Sequence, residues 1–166
     1  HGKTIISFNA STRLEGLSLN AAFAMLTSWS LRLQGVRVVN LVCQRGMSRC
    51  VLGTDQNDIQ RFPPCAKCLK QSSAIYHKSE VVRMDFFPST DLAKALQDTD
   101  LETLRNFNFE GIPLGELCLP SMRWILRRHH LEDDVDTQIL YRHYILSAYK
   151  VASHVELMLN KFNPDS

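Results

Sequence analysis

A strand, helix, strand pattern in the first 42 residues constrains the fold more than any other feature of the chain. Residues 3–8 form a short apolar, β-branched run that predicts a buried strand. From Ser18 apolar side chains recur at helical spacing as far as Gly35, and a second β-branched run follows at residues 36–42. Two strands joined by one helix over about 40 residues are expected to be parallel. The helical face consists of Leu19, Ala22, Phe23, Leu26, Trp29 and Leu33.

Residues 43–72 do not continue this alternation of strand and helix. They contain glycine, proline, aspartate and asparagine without a sustained apolar period, which predicts a loop-rich insertion. Long loops without secondary structure are uncommon in compact domains, because ordering them costs conformational entropy. An internal cross-link would offset that entropy, so we expect the insertion to hold one.

Four cysteines supply a candidate cross-link: Cys43, Cys50, Cys65 and Cys68, with six, fourteen and two residues between successive members. Two thiolates separated by two residues hold an ion from a tight turn, and a second pair completes a tetrahedral site. The spacing predicts structural zinc, although an iron–sulfur centre also accepts four cysteines. Buried thiols that act as small hydrophobes, or disulfides, are the alternatives. Cys118, between two leucines, is predicted to be simple packing.

A redox role for Cys65 and Cys68 is less favoured by the sequence. Such a pair acts when the first thiolate lies at a helix N-terminus just after a strand. Here a proline-bearing loop, with Pro63 and Pro64, comes directly before Cys65.

The chain after the insertion changes from strand to helix. Residues 80–88 predict a third strand, and residues 91–107 predict one or two helices broken near Asp98. Residues 112–120 are predicted to be an extended linker into a helix that has Pro120 near its start.

Asp133 or Asp134 is predicted to cap a long final helix of roughly seven turns. We therefore predict one α/β domain over residues 1–166. It has a Rossmann-like parallel sheet with flanking helices, a Cys-rich loop insertion at residues 43–72 and a helical C-terminal half.

The loop at residues 9–18 leaves the first strand at its carboxyl end, which is where open parallel sheets place ligands. Its hydroxyl, amide and guanidinium groups, with the helix amides that follow, suit a sugar or a phosphate. The loop has no dinucleotide or Walker glycine motif, so those ligands are not supported. The alternative is that these residues only form a turn and cap the helix. The candidate binding residues are Asn9, Ser11, Thr12, Arg13, Gly16 and Ser18.

Composition excludes several classes of function. The net charge is +2, from 19 basic and 17 acidic side chains, which is too balanced to drive binding to nucleic acid or anionic lipid. No apolar run reaches the roughly 20 residues of a transmembrane helix, and no secretory signal begins the chain. Five cysteines, an odd number, favour a reducing compartment, so we expect a cytoplasmic protein. No nucleophile, base and acid occur at catalytic spacing, so catalytic residues stay unassigned.

Three segments together match one pattern: residues 33–38, residues 41–68 with their cysteines, and residues 112–124 with the run IPLGELCLPSMRW. They resemble the N-terminal portion of bacterial surface- or capsular-polysaccharide glycosyltransferases of the two-Rossmann-domain type. The resemblance implies an N-terminal fragment that faces a glycan or lipid-linked acceptor. In that class the C-terminal domain of the same protein binds the nucleotide sugar, and no donor-binding pattern occurs in this chain.

The predicted function is therefore the acceptor-side domain of a glycosyltransferase in polysaccharide biosynthesis, inactive by itself, with structural zinc in its insertion. Two rivals from other classes remain open. One is a non-enzymatic, metal-stabilised binding or assembly module, and the other is an iron–sulfur redox protein.

Overall fold

The structure is a computed structural model that describes residues 2–9, 16–87 and 89–165. It is a mixed α/β fold in which two compact units can be distinguished. The first unit comprises residues 1–45, 64–85 and 153–166, and the second comprises residues 46–63 and 86–152. The prediction of one domain over residues 1–166 stays a prediction. Within the described ranges, no helix is long and apolar enough to span a bilayer.

The first unit contains a three-stranded sheet. Its elements are β1 (Thr4–Phe8), α1 (Leu19–Leu33), β2 (Arg37–Cys43), α2 (Cys65–Ile75) and β3 (Glu80–Met84). The strand order is β1-β2-β3, and both strand pairs are parallel. The parallel pairing predicted from the opening pattern is thus confirmed.

The central strand β2 is covered on both faces. Val38, Val39, Leu41 and Val42 are each at most 3% exposed. Such a continuous apolar run is typical of a parallel strand that has structure on each side. Asn40 interrupts the run at 1% exposure, and its Nδ2 atom donates to the Glu80 carbonyl oxygen at 3.1 Å.

Helix α1 turns its small residues inward. Ala21 and Ser28 are the buried residues of this helix, at 0% and 3% exposure, whereas the predicted apolar face points outward. The Ser18 Oγ atom accepts the Ala21 N–H at 3.1 Å and so caps the helix start. Gly35, at φ +81°, ends the segment as its position in the sequence predicts.

The prediction that residues 43–72 are loop-rich is wrong for residues 65–72, which form most of α2. Proline immediately before a helix is compatible with the helical φ angle, and Ala66, Lys67 and Leu69 are good helix formers. The right-handed crossovers expected for the parallel order β1-β2-β3 place α1 and α2 on the same face of the sheet, and Gln71 of α2 contacts Gly16 just before α1.

The second unit is helical. Its elements are a 3₁₀ turn (Val51–Gly53), α3 (Thr90–Ala95), α4 (Leu101–Arg105), α5 (Leu114–Leu126) and the first part of α6 (Val135–Phe162). The predicted break near Asp98 is confirmed, because this residue has a φ of 53° between α3 and α4. Asp134 caps α6 by accepting the Thr137 N–H at 2.7 Å, as one of the two predicted candidates.

The predicted linker at residues 112–120 is wrong in part, because α5 begins at Leu114 and contains Pro120 in its interior. Leu114, Cys118 and Met122 are buried at four-residue intervals. Pro120, on the exposed side, removes one backbone hydrogen bond from α5. The burial of these three side chains stabilises the helix in spite of that loss.

A single hydrophobic core organises the second unit. Its buried members are Leu92, Leu96, Leu101, Leu104, Leu114, Cys118, Met122, Leu140, Tyr141, Tyr144 and Ile145. Within it the Tyr141 hydroxyl donates to the Gly115 carbonyl oxygen at 2.9 Å. Cys118 is 4% exposed, and burial raises its pKa to about 12, which confirms its predicted packing role.

Candidate functional site

The carboxyl edge of the sheet in the first unit gathers the features predicted to bind a ligand. Strands β1, β2 and β3 end there at Phe8, Cys43 and Met84. Because each crossover helix runs back against its strand, α1 and α2 also begin at this edge. Two helix N-termini and three strand ends therefore lie at the same edge of the sheet as the start of the loop after β1.

Asn9 is the first residue of that loop. Its backbone N–H donates to the Leu41 carbonyl oxygen at 3.4 Å, which continues the pairing of β1 with β2. Its side chain lies beside Tyr76, which is 8% exposed at the end of α2. The Asn9 Nδ2 atom is buried and has no hydrogen bond of standard geometry to any described residue. The polar group that it approaches is the Tyr76 hydroxyl.

Tyr76 stays protonated near neutral pH. Burial raises the pKa of its hydroxyl, and the neighbouring Asn9 amide opposes part of that rise. The hydroxyl therefore offers both a donor and an acceptor beside Asn9.

The end of the loop after β1 is held by α2. Gln71 donates from Nε2 to the Gly16 carbonyl oxygen at 2.7 Å, and Gly16 has a φ of +68° that suits glycine. Ser18 uses its hydroxyl as the cap of α1, so the capping alternative is confirmed at this position. Among the predicted binding residues, Ser11, Thr12 and Arg13 lie outside the described residues.

Gln71 and Tyr76 are site residues that the sequence interpretation missed. Both follow Cys68 in a segment predicted to be loop or left unassigned, and neither belongs to a motif. The helical spacing of residues 65–75 is the signal that could have placed Gln71 on the first turns of a helix at this edge.

The predicted metal ligands fall in different parts of the chain. Cys43 ends β2, Cys65 and Cys68 occupy the first turn of α2, and Cys50 lies in the second unit just before its 3₁₀ turn. Cys65, Cys68 and Cys118 are free thiols. Within residues 2–9, 16–87 and 89–165, no group of three or more His, Cys, Asp or Glu side chains is placed to hold a metal ion. The zinc site stays a prediction.

Cys65 is the first residue of α2, although the sequence does not suggest a helix start at this position. Burial raises the pKa of its thiol, and the positive charge of Arg45 opposes part of that rise. The thiol is therefore protonated at neutral pH, which does not favour a nucleophilic role. A metal ion would have to displace its proton.

A polar cluster in the second unit joins residues 48–49 to α6. The Ser147 Oγ atom accepts the Arg49 N–H at 3.2 Å and lies 2.8 Å from the His143 carbonyl oxygen. The Ser48 hydroxyl donates to the same carbonyl oxygen at 2.9 Å and lies 3.1 Å from His143 Nδ1. Because Ser48 and Ser147 both bind the His143 carbonyl oxygen, the cluster forms a structural clamp between residues 48–49 and α6.

No family model, no curated protein and no solved structure matches this chain.

Proposed function

We propose that this chain is the acceptor-side, Rossmann-like domain of a glycosyltransferase that acts in polysaccharide biosynthesis. The observation that carries the proposal is the carboxyl edge of the parallel sheet, where the Asn9 amide lies beside the Tyr76 hydroxyl. Ligands of open parallel sheets bind at this edge.

The chemistry of the edge favours a neutral, hydroxyl-rich ligand. Asn9 and Gln71 carry amides, and Tyr76 carries a protonated hydroxyl. Such groups exchange hydrogen bonds with sugar hydroxyls without needing a charge on the ligand. A diphosphate, by contrast, is usually held by cations or by glycine-rich backbone, as expected of a separate donor-binding domain.

In this proposal the residues of the edge position the acceptor and do not activate it. The nucleotide sugar would be brought by a C-terminal domain of the parent protein, and leaving-group charge would be stabilised there. The acceptor is a free or lipid-linked glycan.

Saturation-transfer NMR on the purified chain tests the proposal with two kinds of probe. The first is a panel of neutral trisaccharides of glucose, galactose and N-acetylglucosamine, and the second is UDP-glucose. We expect saturation transfer to at least one trisaccharide and none to UDP-glucose. Asn9→Ala should weaken trisaccharide binding about tenfold, as expected for one lost hydrogen bond.

The matched control is Asn20→Ala, which removes the same amide from an exposed position on α1 in the same unit. It should leave binding unchanged, and circular dichroism should confirm that both variants are folded. Binding of UDP-glucose alone, or trisaccharide binding equally weakened by both substitutions, would contradict the proposal. No binding of any probe would favour the rival assembly module.

Zinc held by Cys43, Cys50, Cys65 and Cys68 remains a separate part of the proposal. Elemental analysis with an absorption spectrum decides it: one colourless zinc per chain supports the site, and visible colour supports an iron–sulfur centre. Cys65→Ser should abolish zinc retention, whereas Cys118→Ser should not. A chain purified without metal contradicts both assignments.

A further inference from the structure

The outward face of α1 is unusual for a helix that covers a sheet. Five of its large apolar residues are about half exposed or more, whereas its buried positions are small. The exposed fractions are 72% for Leu19, 62% for Phe23, 55% for Leu26, 48% for Trp29 and 89% for Leu33.

These five residues form one stripe. At 100° per residue they fall within an arc of about 120°. Taking roughly 200 Å² for each large side chain, they expose on the order of 600 Å² together. This area is at the upper end of the largest apolar patch on an ordinary monomer, about 300–600 Å², and contiguous patches of this size mark interaction surfaces.

The helices on this face of the sheet are basic. Residues 16–45 and 64–79, which include α1 and α2, contain no acidic residue. Lys67 and Lys70 are exposed on α2. The whole first unit carries ten basic and five acidic side chains, a net charge of +5, while the second unit has a net charge of −3. The small charge of the complete chain conceals this separation.

Basic residues also lie near the C-terminal end of the apolar stripe. The Arg32 guanidinium donates to the Lys78 carbonyl oxygen at 3.2 Å, which places Lys78 beside the last turn of α1. The Lys3 carbonyl oxygen accepts the Arg37 N–H at 2.9 Å, two residues beyond Gly35. Lys3, Arg32 and Lys78 are all exposed.

We propose that the outward face of α1 docks on an anionic lipid bilayer. The helix lies in the plane of the interface, with its apolar stripe among the acyl chains. Arg32, together with the neighbouring Lys3 and Lys78, lies at the level of the phosphates. Trp29, on the side of the stripe, lies at the depth where indole rings concentrate in membrane proteins.

The charges and the area argue against other occupants. A nucleic acid would use the cations and leave the leucine and phenylalanine side chains in water. A second copy would bring two units of charge +5 together. The area buried in such a dimer, on the order of 600 Å² per partner, would also be below the roughly 800 Å² per partner of a standard interface. The proposal does not depend on the glycosyltransferase assignment.

The two tryptophans provide a direct test, because Trp29 lies on the stripe and Trp124 is 65% exposed on α5 in the second unit. Trp124→Phe leaves Trp29 as the reporter, and Trp29→Phe leaves Trp124. Each single-tryptophan chain is titrated with vesicles of equimolar phosphatidylglycerol and phosphatidylcholine. We expect Trp29 fluorescence to shift to the blue, and to be quenched by brominated acyl chains, while Trp124 fluorescence does not change.

Two further measurements separate the contribution of the basic residues to binding from that of the apolar stripe. Vesicles of phosphatidylcholine alone should bind about a hundredfold more weakly, as expected for three cations near a surface, and added salt should weaken binding to the anionic vesicles. The double substitution Phe23→Gln and Leu33→Gln should abolish co-sedimentation, and Leu117→Gln, which is equally apolar and exposed on α5, should not.

Circular dichroism should show both of these variants folded, because every substituted side chain is at least 60% exposed. The proposal is overturned if the anionic vesicles do not bind, if only Trp124 responds, or if the double substitution binds as well as the unsubstituted chain. It is also overturned if sedimentation equilibrium shows a dimer that the double substitution dissociates, because the occupant would then be a second copy.

Discussion

The two units use their apolar side chains in opposite ways. In the second unit large side chains fill a shared core, and Leu104, Leu114 and Met122 are each 0% exposed. In the first unit the sheet core is formed chiefly by valines and leucine of β2, while the largest side chains of α1 face outward. The same helical periodicity thus indicates a buried face in one unit and an exposed surface in the other.

The units also differ in charge, at +5 and −3. A balanced total charge argues against anionic partners only when the charges are evenly mixed. The basic residues are divided almost equally, ten and nine, but twelve of the 17 acidic residues belong to the second unit. The average charge therefore does not describe the first unit. One pair of substitutions breaks or sharpens the contrast in burial, and the others measure how firmly the second unit is held together.

The largest expected effect comes from the same substitution in both units. Leu104→Ala should lower the free energy of unfolding by about 3 kcal/mol, because it leaves a cavity in the helical core. Leu33→Ala should change it by less than about 0.5 kcal/mol, because that side chain is 89% exposed. Urea denaturation followed by circular dichroism measures both. Equal losses would show that the outward face of α1 is buried in solution.

A substitution in the second unit tests backbone packing. A Cβ atom added at Gly115 would collide with the carbonyl oxygens of Leu104 and Arg105 at the α4–α5 contact. Gly115→Ala should therefore lower the free energy of unfolding by about 2 kcal/mol. The comparison is Gly111→Asn, a position with open space whose φ of +81° makes any side chain strained, so its loss measures backbone strain without a collision. A loss at Gly115 well below about 2 kcal/mol would mean that α4 and α5 are not closely packed.

The clamp between residues 48–49 and α6 should contribute less to the free energy of unfolding. Ser147→Ala leaves the Arg49 N–H without its side-chain acceptor, and we expect a loss of about 1 kcal/mol. Ser30→Ala, at an exposed position of α1, is the matched control and should be close to neutral. Hydrogen exchange at the Arg49 amide should accelerate in the first variant only.

The smallest effect is a pH dependence. Burial, and next the positive charge of Arg49, lower the pKa of His143 in the folded state. The unfolded chain therefore binds this proton first as the pH falls. The folded state is therefore stabilised by a neutral His143. This stabilisation is complete above the ordinary histidine pKa of about 6.5 and is lost below it, at no more than about 1.4 kcal/mol per pH unit. His143→Gln should flatten this slope in urea midpoints measured between pH 7.5 and 5.5, and an unchanged slope would assign it to other groups.

Local pattern was sufficient for much of the fold. β1, α1 and β2 follow from short apolar runs and helical spacing, and the break at Asp98 and the cap at Asp134 follow from residue chemistry. The errors arose where strong local signals were overruled. Pro64 and Pro120 suggested loop and linker, yet α2 begins directly after the first and α5 continues through the second, because buried side chains in α5 outweigh one lost hydrogen bond.

The candidate site was predictable only in its position. Asn9 was identified because a loop after the first parallel strand must lie at the carboxyl edge of the sheet. Tyr76, beside Asn9, and Gln71, which binds the Gly16 carbonyl oxygen, both lie in or directly after α2, and no local signal connects them to this loop. Their proximity depends on α2 packing on the same face of the sheet as α1.

The sequence by itself determined the parallel sheet, the helical second half and the positions of the thiols and charges. Periodicity and turn chemistry act over a few residues, so they are legible along the chain. Only the tertiary structure decided which face of α1 is buried, which residues approach Asn9 and how the charges divide between the two units. Those outcomes depend on contacts between segments distant in sequence, where packing of small against large side chains selects one face of a helix over the other.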